Sequence, residues 1–129
     1  MKDFAAAQWQ RARRALESAR ILVEEDQDGA ASRAYYAAFY AVTALLAMEG
    51  RAFKKHTGVR AALHKDLVRA QRLSVEVGEG YDFLMDLRDE ADYGGISSVS
   101  RDNALLAVSK AQAIMEAVAK ACPELGQPL

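Results

Sequence analysis

From Ala34 to Met48 the chain runs 15 residues without a charge, AYYAAFYAVTALLAM. Tyr35, Phe39, Val42 and Leu46 recur at i, i+4, i+7 and i+11, the spacing of one helix face. A membrane-spanning helix needs about 20 apolar residues, and this shorter run carries four aromatics and Thr43. It therefore predicts a central core helix, over about residues 30–48. Small residues at 37, 38, 41 and 44 would let neighbouring helices approach it closely. Tyr36 and Tyr40 share a flanking face with Arg33, one and two turns before them.

What surrounds that helix reads as four more helices. A first, over about residues 3–25, has Phe4, Trp9, Ala12, Leu16, Ala19 and Val23 as its stripe and breaks at Gly29. A third starts with Thr57 as N-cap and runs to about residue 72, with Val59, Leu63, Leu67 and Ala70 inward. A fourth, over about residues 80–92, turns Phe83, Leu84, Leu87 and Ala91 inward and closes at Tyr93-Gly94-Gly95, where glycine suits a left-handed helix end. Ser100 caps the fifth, with Leu105, Val108, Gln112, Met115 and Ala119 recurring up to Cys122-Pro123. Two prolines and eight glycines in 129 residues leave little room for short strands. The expectation is an all-α, antiparallel up-and-down bundle of about five helices forming a single domain, residues 1–129.

The net charge of −1 argues against a general nucleic-acid coat protein, yet it hides an uneven distribution. Arg51 to Arg72 holds seven Lys or Arg and one acid, Asp66; Glu76 to Asp92 holds seven acids and one base, Arg88. Such neighbours are either complementary solvated faces, or a basic surface for phosphate whose acidic counterpart mates within the fold or with a second copy. Lys2, Asp3, Arg11, Arg13 and Arg14 interrupt any export h-region, and the lone Cys122 suits a reducing compartment, so a cytoplasmic location is expected.

Several chemistries lack their residues. There is no CxxC or HExxH, no carboxylate–histidine set for a bundle metal, no glycine-rich phosphate loop and no GxSxG elbow. No metal or cofactor is expected. Two histidines, a few placed arginines and the tyrosines remain. His56, after Lys54 and Lys55 at a helix start, could help hold an anion or be a solvated loop residue. His64 reads as a boundary residue. Arg33 either rests its stem on the tyrosines or stands anchored in a cleft they line. Arg88, in the stretch LRDEADYGG, has Asp92 at i+4, so it is either half of an intrahelical ion pair or part of a site.

The segments SRAYYAAF (32–39), KHTG (55–58) and LRDEADY (87–93) resemble, in order, the motifs of small stand-alone prokaryotic HEPN proteins, named for higher eukaryotes and prokaryotes nucleotide-binding. The resemblance covers roughly residues 5–120. It implies a helical bundle, a homodimer, and pairing with a small nucleotidyltransferase encoded by the adjacent gene. Many such pairs are toxin–antitoxin modules whose HEPN member is a metal-independent ribonuclease. The family nuclease motif is an arginine followed, after four to six residues, by a histidine. Arg88 matches the arginine, and Tyr93 stands where four intervening residues would place the histidine. A histidine titrating near about 6.5 can take a proton at neutral pH, whereas a tyrosine near about 10 is a poor base. In related toxins a tyrosine close behind the histidine can be modified with AMP by the partner, a second role open to Tyr93.

Three readings follow. One is a binding module that engages a nucleotidyltransferase and a nucleotide or RNA without cleaving it, with Arg33, Tyr36, Lys55 and Asp92 in the binding set. Another is an endoribonuclease toxin with Arg88, His56 and Tyr93 as its catalytic set. The third is a structural helical protein whose motifs are packing.

Overall fold

A computed structural model describes residues 1–94 and 98–126. Its helices are α1 (Lys2–Leu22), α2 (Gln27–Met48), α3 (His56–Ala62), which continues into a π-helical turn (Leu63–Val68), α4 (Val75–Tyr93) and α5 (Arg101–Ala121). No strand occurs among the described residues. The all-α bundle expected from periodicity is what forms.

Helix α2 is the hub, packing against α1, α4 and α5. Its alanines at 30, 31, 34, 37, 38, 41, 44 and 47 are fully buried, together with Tyr35, Val42 and Leu46. Alanine on several sides lets three helices approach one axis, which a leucine-studded helix could not allow. Asp26 starts α2 by accepting the Gly29 N–H at 2.9 Å. Gly50, at φ +79°, turns the chain away after its end. Asp28, in the first turn of α2, accepts the Val99 N–H at 2.7 Å, so the segment entering α5 is pinned to the helix that α5 will cover.

Helix α4 begins five residues earlier than its apolar spacing suggests. Ser74 caps it, accepting the Val77 N–H at 3.3 Å, and Gly78 and Gly80 lie inside the helix rather than before it. At Gly78 a methyl group would stand 3.1 Å from the His64 ring, so this glycine allows close packing on the π turn. At the other end Gly94 has φ −69°, a right-handed conformation, so the left-handed stop expected there does not occur at Gly94; Gly95 lies outside the described residues. The third helix is also shorter than expected. Regular helix ends at Val68, Gln71 takes φ +64°, and Ala70 faces solvent.

On α5 the buried face is rotated from the expected stripe, of which Met115 is buried. Ala104, Ala107, Ala111, Ile114, Met115 and Val118 face inward, while Leu105 is 42% exposed and Gln112 lies on the surface. The alanine-lined face fits flush on α2, and a leucine at 105 would hold the helices apart. On α1 the expected stripe is buried from Trp9 to Val23, and only its first member differs, with Ala5 enclosed and Phe4 exposed. Ser100 caps α5, accepting the Asn103 N–H at 3.1 Å. Ser100→Ala should therefore cost about 1 kcal/mol in urea unfolding, and an unchanged midpoint would show that the Val99–Asp28 bond alone seats the helix.

The opposed charge segments meet at one point. Asp82 on α4 accepts from Arg60 Nε at 3.0 Å and lies 2.9 Å from His64 Nε2. Elsewhere the basic segment satisfies itself or α2: Arg51 pairs with Asp66 at 2.6 Å, and Arg72 NH1 with Glu49 at 2.9 Å. These pairs are all substantially solvated and each is worth a few tenths of a kcal/mol. No helix among the described residues is long and apolar enough to cross a membrane.

Candidate phosphate-binding site at Arg88

Helices α2 and α4 lie side by side, and the aromatic face of α2 meets Arg88. The guanidinium carbon sits 5.0 Å from the centre of the Tyr35 ring and 5.8 Å from that of Tyr36. Its NH1 donates to the Tyr36 hydroxyl at 3.2 Å and its NH2 to Asp89 at 3.0 Å. The ion pair foreseen at i+4 is the weak contact, with Asp92 Oδ2 3.8 Å from Nε. Only 16% of the Arg88 side chain is exposed, and its buried Nε has no hydrogen bond. Burial works against the charge, but the hydrogen bonds that Arg88 donates to Asp89 and Tyr36 outweigh it and hold the Arg88 pKa above its usual value. This is an anchored cation, braced by two rings and paired with Asp89 rather than chiefly with Asp92.

The Lys55-His56 turn brings a second polar group to the same place. His56 Nδ1 lies 3.0 Å from the Tyr35 hydroxyl, and Phe39 stacks on the imidazole at 4.0 Å between centroids. Tyr36 meets the ring edge-on at 5.8 Å. Burial, helped by the positive charge of Arg88, lowers the His56 pKa, so the imidazole is neutral at pH 7. Helix α3 starts at His56 with Lys55, not Thr57, at the N-cap position, so the ring belongs to the first helical turn rather than to a loop. Tyr35 and Phe39 then fix the orientation of the imidazole.

Behind Tyr35 lies Tyr81 of α4, fully buried, the two rings meeting at 65° with centroids 5.8 Å apart. Burial pushes the Tyr81 phenol far above its usual range and also raises that of Tyr35, where the neighbouring Tyr81 hydroxyl partly opposes the shift. The Tyr81 hydroxyl is enclosed and makes no hydrogen bond. An unpaired buried hydroxyl costs about 1–3 kcal/mol.

Among the expected site residues, the fold gathers Arg88, Tyr36, His56 and Arg33, the last with its guanidinium 5.0 Å from the Tyr36 ring centre. Asp92 stands at the margin. Lys55 is exposed beside His56, and Tyr93 is 78% exposed with no hydrogen bond or ring contact to Arg88 or His56. Sequence reasoning missed Tyr35, Phe39 and Asp89. Tyr35 and Phe39 share the buried stripe of α2 and look like core; only their alignment with KHTG across the loop gives them polar work. No group of three or more metal-ligating side chains occurs among the described residues.

The pKa of His56 gives a pH prediction. A histidine held below its ordinary 6.5 binds fewer protons in the folded than in the unfolded chain. It contributes stability above pH 6.5 that is lost as pH falls through the depressed value. Thermal melting should therefore decline between about pH 6.5 and 5 in wild type, before the carboxylates protonate. A His56→Gln variant should be flatter over that window, and identical slopes would remove His56 from the buried cluster.

The family model for the HEPN domain matches residues 5–121. The chain belongs to the HEPN family. A UPF0332 protein of Thermotoga maritima is 34% identical over 116 residues, covering 89% of this chain and 88% of that protein. A Methanocaldococcus jannaschii protein named "Putative toxin MJ0142" is 32% identical over 96 residues, covering 74% of this chain and 65% of that one. The HEPN match takes in all three motifs, and the two that place Tyr36 and Arg88 are joined by the 3.2 Å hydrogen bond across the α2–α4 seam.

Proposed function

We propose that this HEPN protein is the partner of a small nucleotidyltransferase in a toxin–antitoxin-type module, acting in the cytoplasm as a homodimer, and that its Arg88 cluster binds the phosphate of a nucleotide or RNA. The observation that carries the site is Arg88 itself: a guanidinium 16% exposed, braced on two tyrosine rings and fixed by the Tyr36 hydroxyl and Asp89. Asp89 and the Tyr36 hydroxyl each take one donor of this guanidinium, and its two terminal nitrogens have further hydrogens for an incoming anion. The name of the archaeal relative supports the toxin–antitoxin setting.

Cleavage is the second reading, supported by the imidazole that joins Arg88 across Tyr35. Tyr93, on an open surface, serves that reading less well than His56, and it remains accessible for modification by a partner enzyme.

Co-expression with the adjacent-gene product tests the module. Co-purification of the two, and loss of RNA or AMP binding in Arg88→Ala with the fold kept, are the expected results. An adjacent gene encoding no nucleotidyltransferase, or wild-type binding by the variant, would sink the proposal. Sedimentation should show a dimer in which the exposed Leu105 and Leu106 become covered; a monomer at micromolar concentration counts against it.

A further inference from the structure

We infer that the uncovered strip of α2 and the adjoining turn of α1 bind single-stranded RNA: Arg33, Tyr36, Tyr40 and Arg11 form a track that carries the strand onward from the phosphate held at Arg88. This rests on the phosphate-binding reading of Arg88 and makes the ligand a strand several nucleotides long rather than a free nucleotide.

The strip is what the bundle leaves open on its central helix. Between Ala30 and Ala47 every residue of α2 is enclosed except Ser32, Arg33, Tyr36, Phe39 and Tyr40. Phe39 is taken up by the His56 ring, on which it stacks at 4.0 Å. Tyr36 and Tyr40 lead away from Arg88 in steps of nearly equal length. The Arg88 guanidinium carbon is 5.8 Å from the centre of the Tyr36 ring, and the Tyr36 and Tyr40 centroids are 5.8 Å apart. The Arg11 guanidinium of α1 is then 5.9 Å from the Tyr40 ring centre, and Arg33 stands 5.0 Å from that of Tyr36. Cations therefore occupy both ends and the middle of a row of rings.

Charge decides what such a row attracts. Arg11 and Arg33 form no ion pair among the described residues. By contrast Arg20, Arg51, Arg60, Arg72 and Arg101 are each paired with a carboxylate. Tyrosine faces brace the two guanidiniums without neutralising them, so their N–H edges are left for phosphate oxygens. The carboxylates that meet the row, Asp89 and Asp92, do so at Arg88. A mononucleotide offers one phosphate, which Arg88 already satisfies. A single strand repeats phosphate and base, and its unpaired bases can stack on tyrosine rings and guanidinium planes. A duplex keeps those base faces in its own stack, and an acidic peptide has no flat group for each ring. Stacking of this kind tolerates any sequence, because every base has a π face.

Fluorescence anisotropy with a short labelled oligouridylate, set beside calorimetry with AMP, tests the track. Wild type should bind the strand at least about tenfold more tightly than AMP. Arg11→Ala, which truncates an exposed side chain, and Tyr40→Leu should each weaken strand binding at least about fivefold, with a far smaller loss for AMP. For Arg11→Ala the dependence of log Kd on log salt should also flatten by about 0.7, the mark of one phosphate contact on a single strand. Arg13→Ala removes the same charge from the groove between α1 and α5 and should bind the strand as wild type does. Tyr40 is half-buried, so Arg11→Ala carries the test if Tyr40→Leu melts far below wild type. Unchanged strand binding in Arg11→Ala, a loss no larger than that in Arg13→Ala, or equally tight binding of duplex RNA or polyglutamate overturns the inference. If AMP binds through Arg88 but the strand binds no more tightly, the track falls and the phosphate site stands. Strand binding that needs Arg11 but not Arg88 keeps the track and removes the phosphate reading. If neither ligand binds, both fall.

Discussion

Arg88→Ala is expected to lower the unfolding free energy by about 2 kcal/mol and to reduce binding of AMP or RNA at least about tenfold. The stability loss comes from the two tyrosine faces that Arg88 covers and from the Tyr36 hydroxyl it donates to at 3.2 Å. In a domain of this size that is a fall of roughly 5–10 °C in Tm. An i,i+4 surface pair with Asp92 would be worth under about 0.5 kcal/mol, so the two accounts differ by a measurable factor. Arg88→Lys keeps the charge but loses the flat guanidinium and its fork of donors, and should recover less than half of either effect. Denaturation and calorimetry on the same three proteins decide it. If Arg88→Ala melts and binds as wild type does, the helix end carries no site.

The largest stability effect is expected at Tyr81, and its two substitutions should part company. Tyr81→Ala empties a fully buried aromatic position between α2 and α4 and should cost about 3–5 kcal/mol, enough to bring the domain close to unfolding at 37 °C. Tyr81→Phe keeps the ring and removes the hydroxyl that lacks a regular partner, so it should fall within about 1 kcal/mol of wild type in either direction. Urea midpoints at pH 7 are the measurement. A loss of about 3 kcal/mol on removing the hydroxyl alone would mean that it makes a strong bond, and the orphaned donor would be refuted.

How much was legible in advance varied element by element. The uncharged run around Tyr35 located α2, because a helix buried on most sides can carry no charge and must lie at the centre. The Ser100 cap and the stop at Cys122-Pro123 placed α5 to within a residue. The start of α4 was not legible: Gly78 and Gly80 look like breakers, and only the His64 side chain over one and Ile114 beside the other make them helix residues. The buried face of α5 was not legible either, since its alanine stripe and its leucine stripe are both at helical period and the difference lies in what α2 presents.

The site divides in the same way. Arg88, Arg33, Tyr36 and His56 were recognisable by residue type and by their order along the chain, and those properties are local. That Tyr35 rather than Tyr93 works with His56 is a matter of where α3 begins relative to α2, 21 positions away in sequence. Local sequence determined which segments are helical, the Ser100 cap and the inventory of charges and aromatics, because spacing along a helix is set by 3.6 residues per turn. Tertiary structure alone decided which face of each helix was buried and which hydroxyl met which ring nitrogen, because hydrogen bonds of about 3 Å depend on the closeness with which alanine and glycine let neighbouring helices pack.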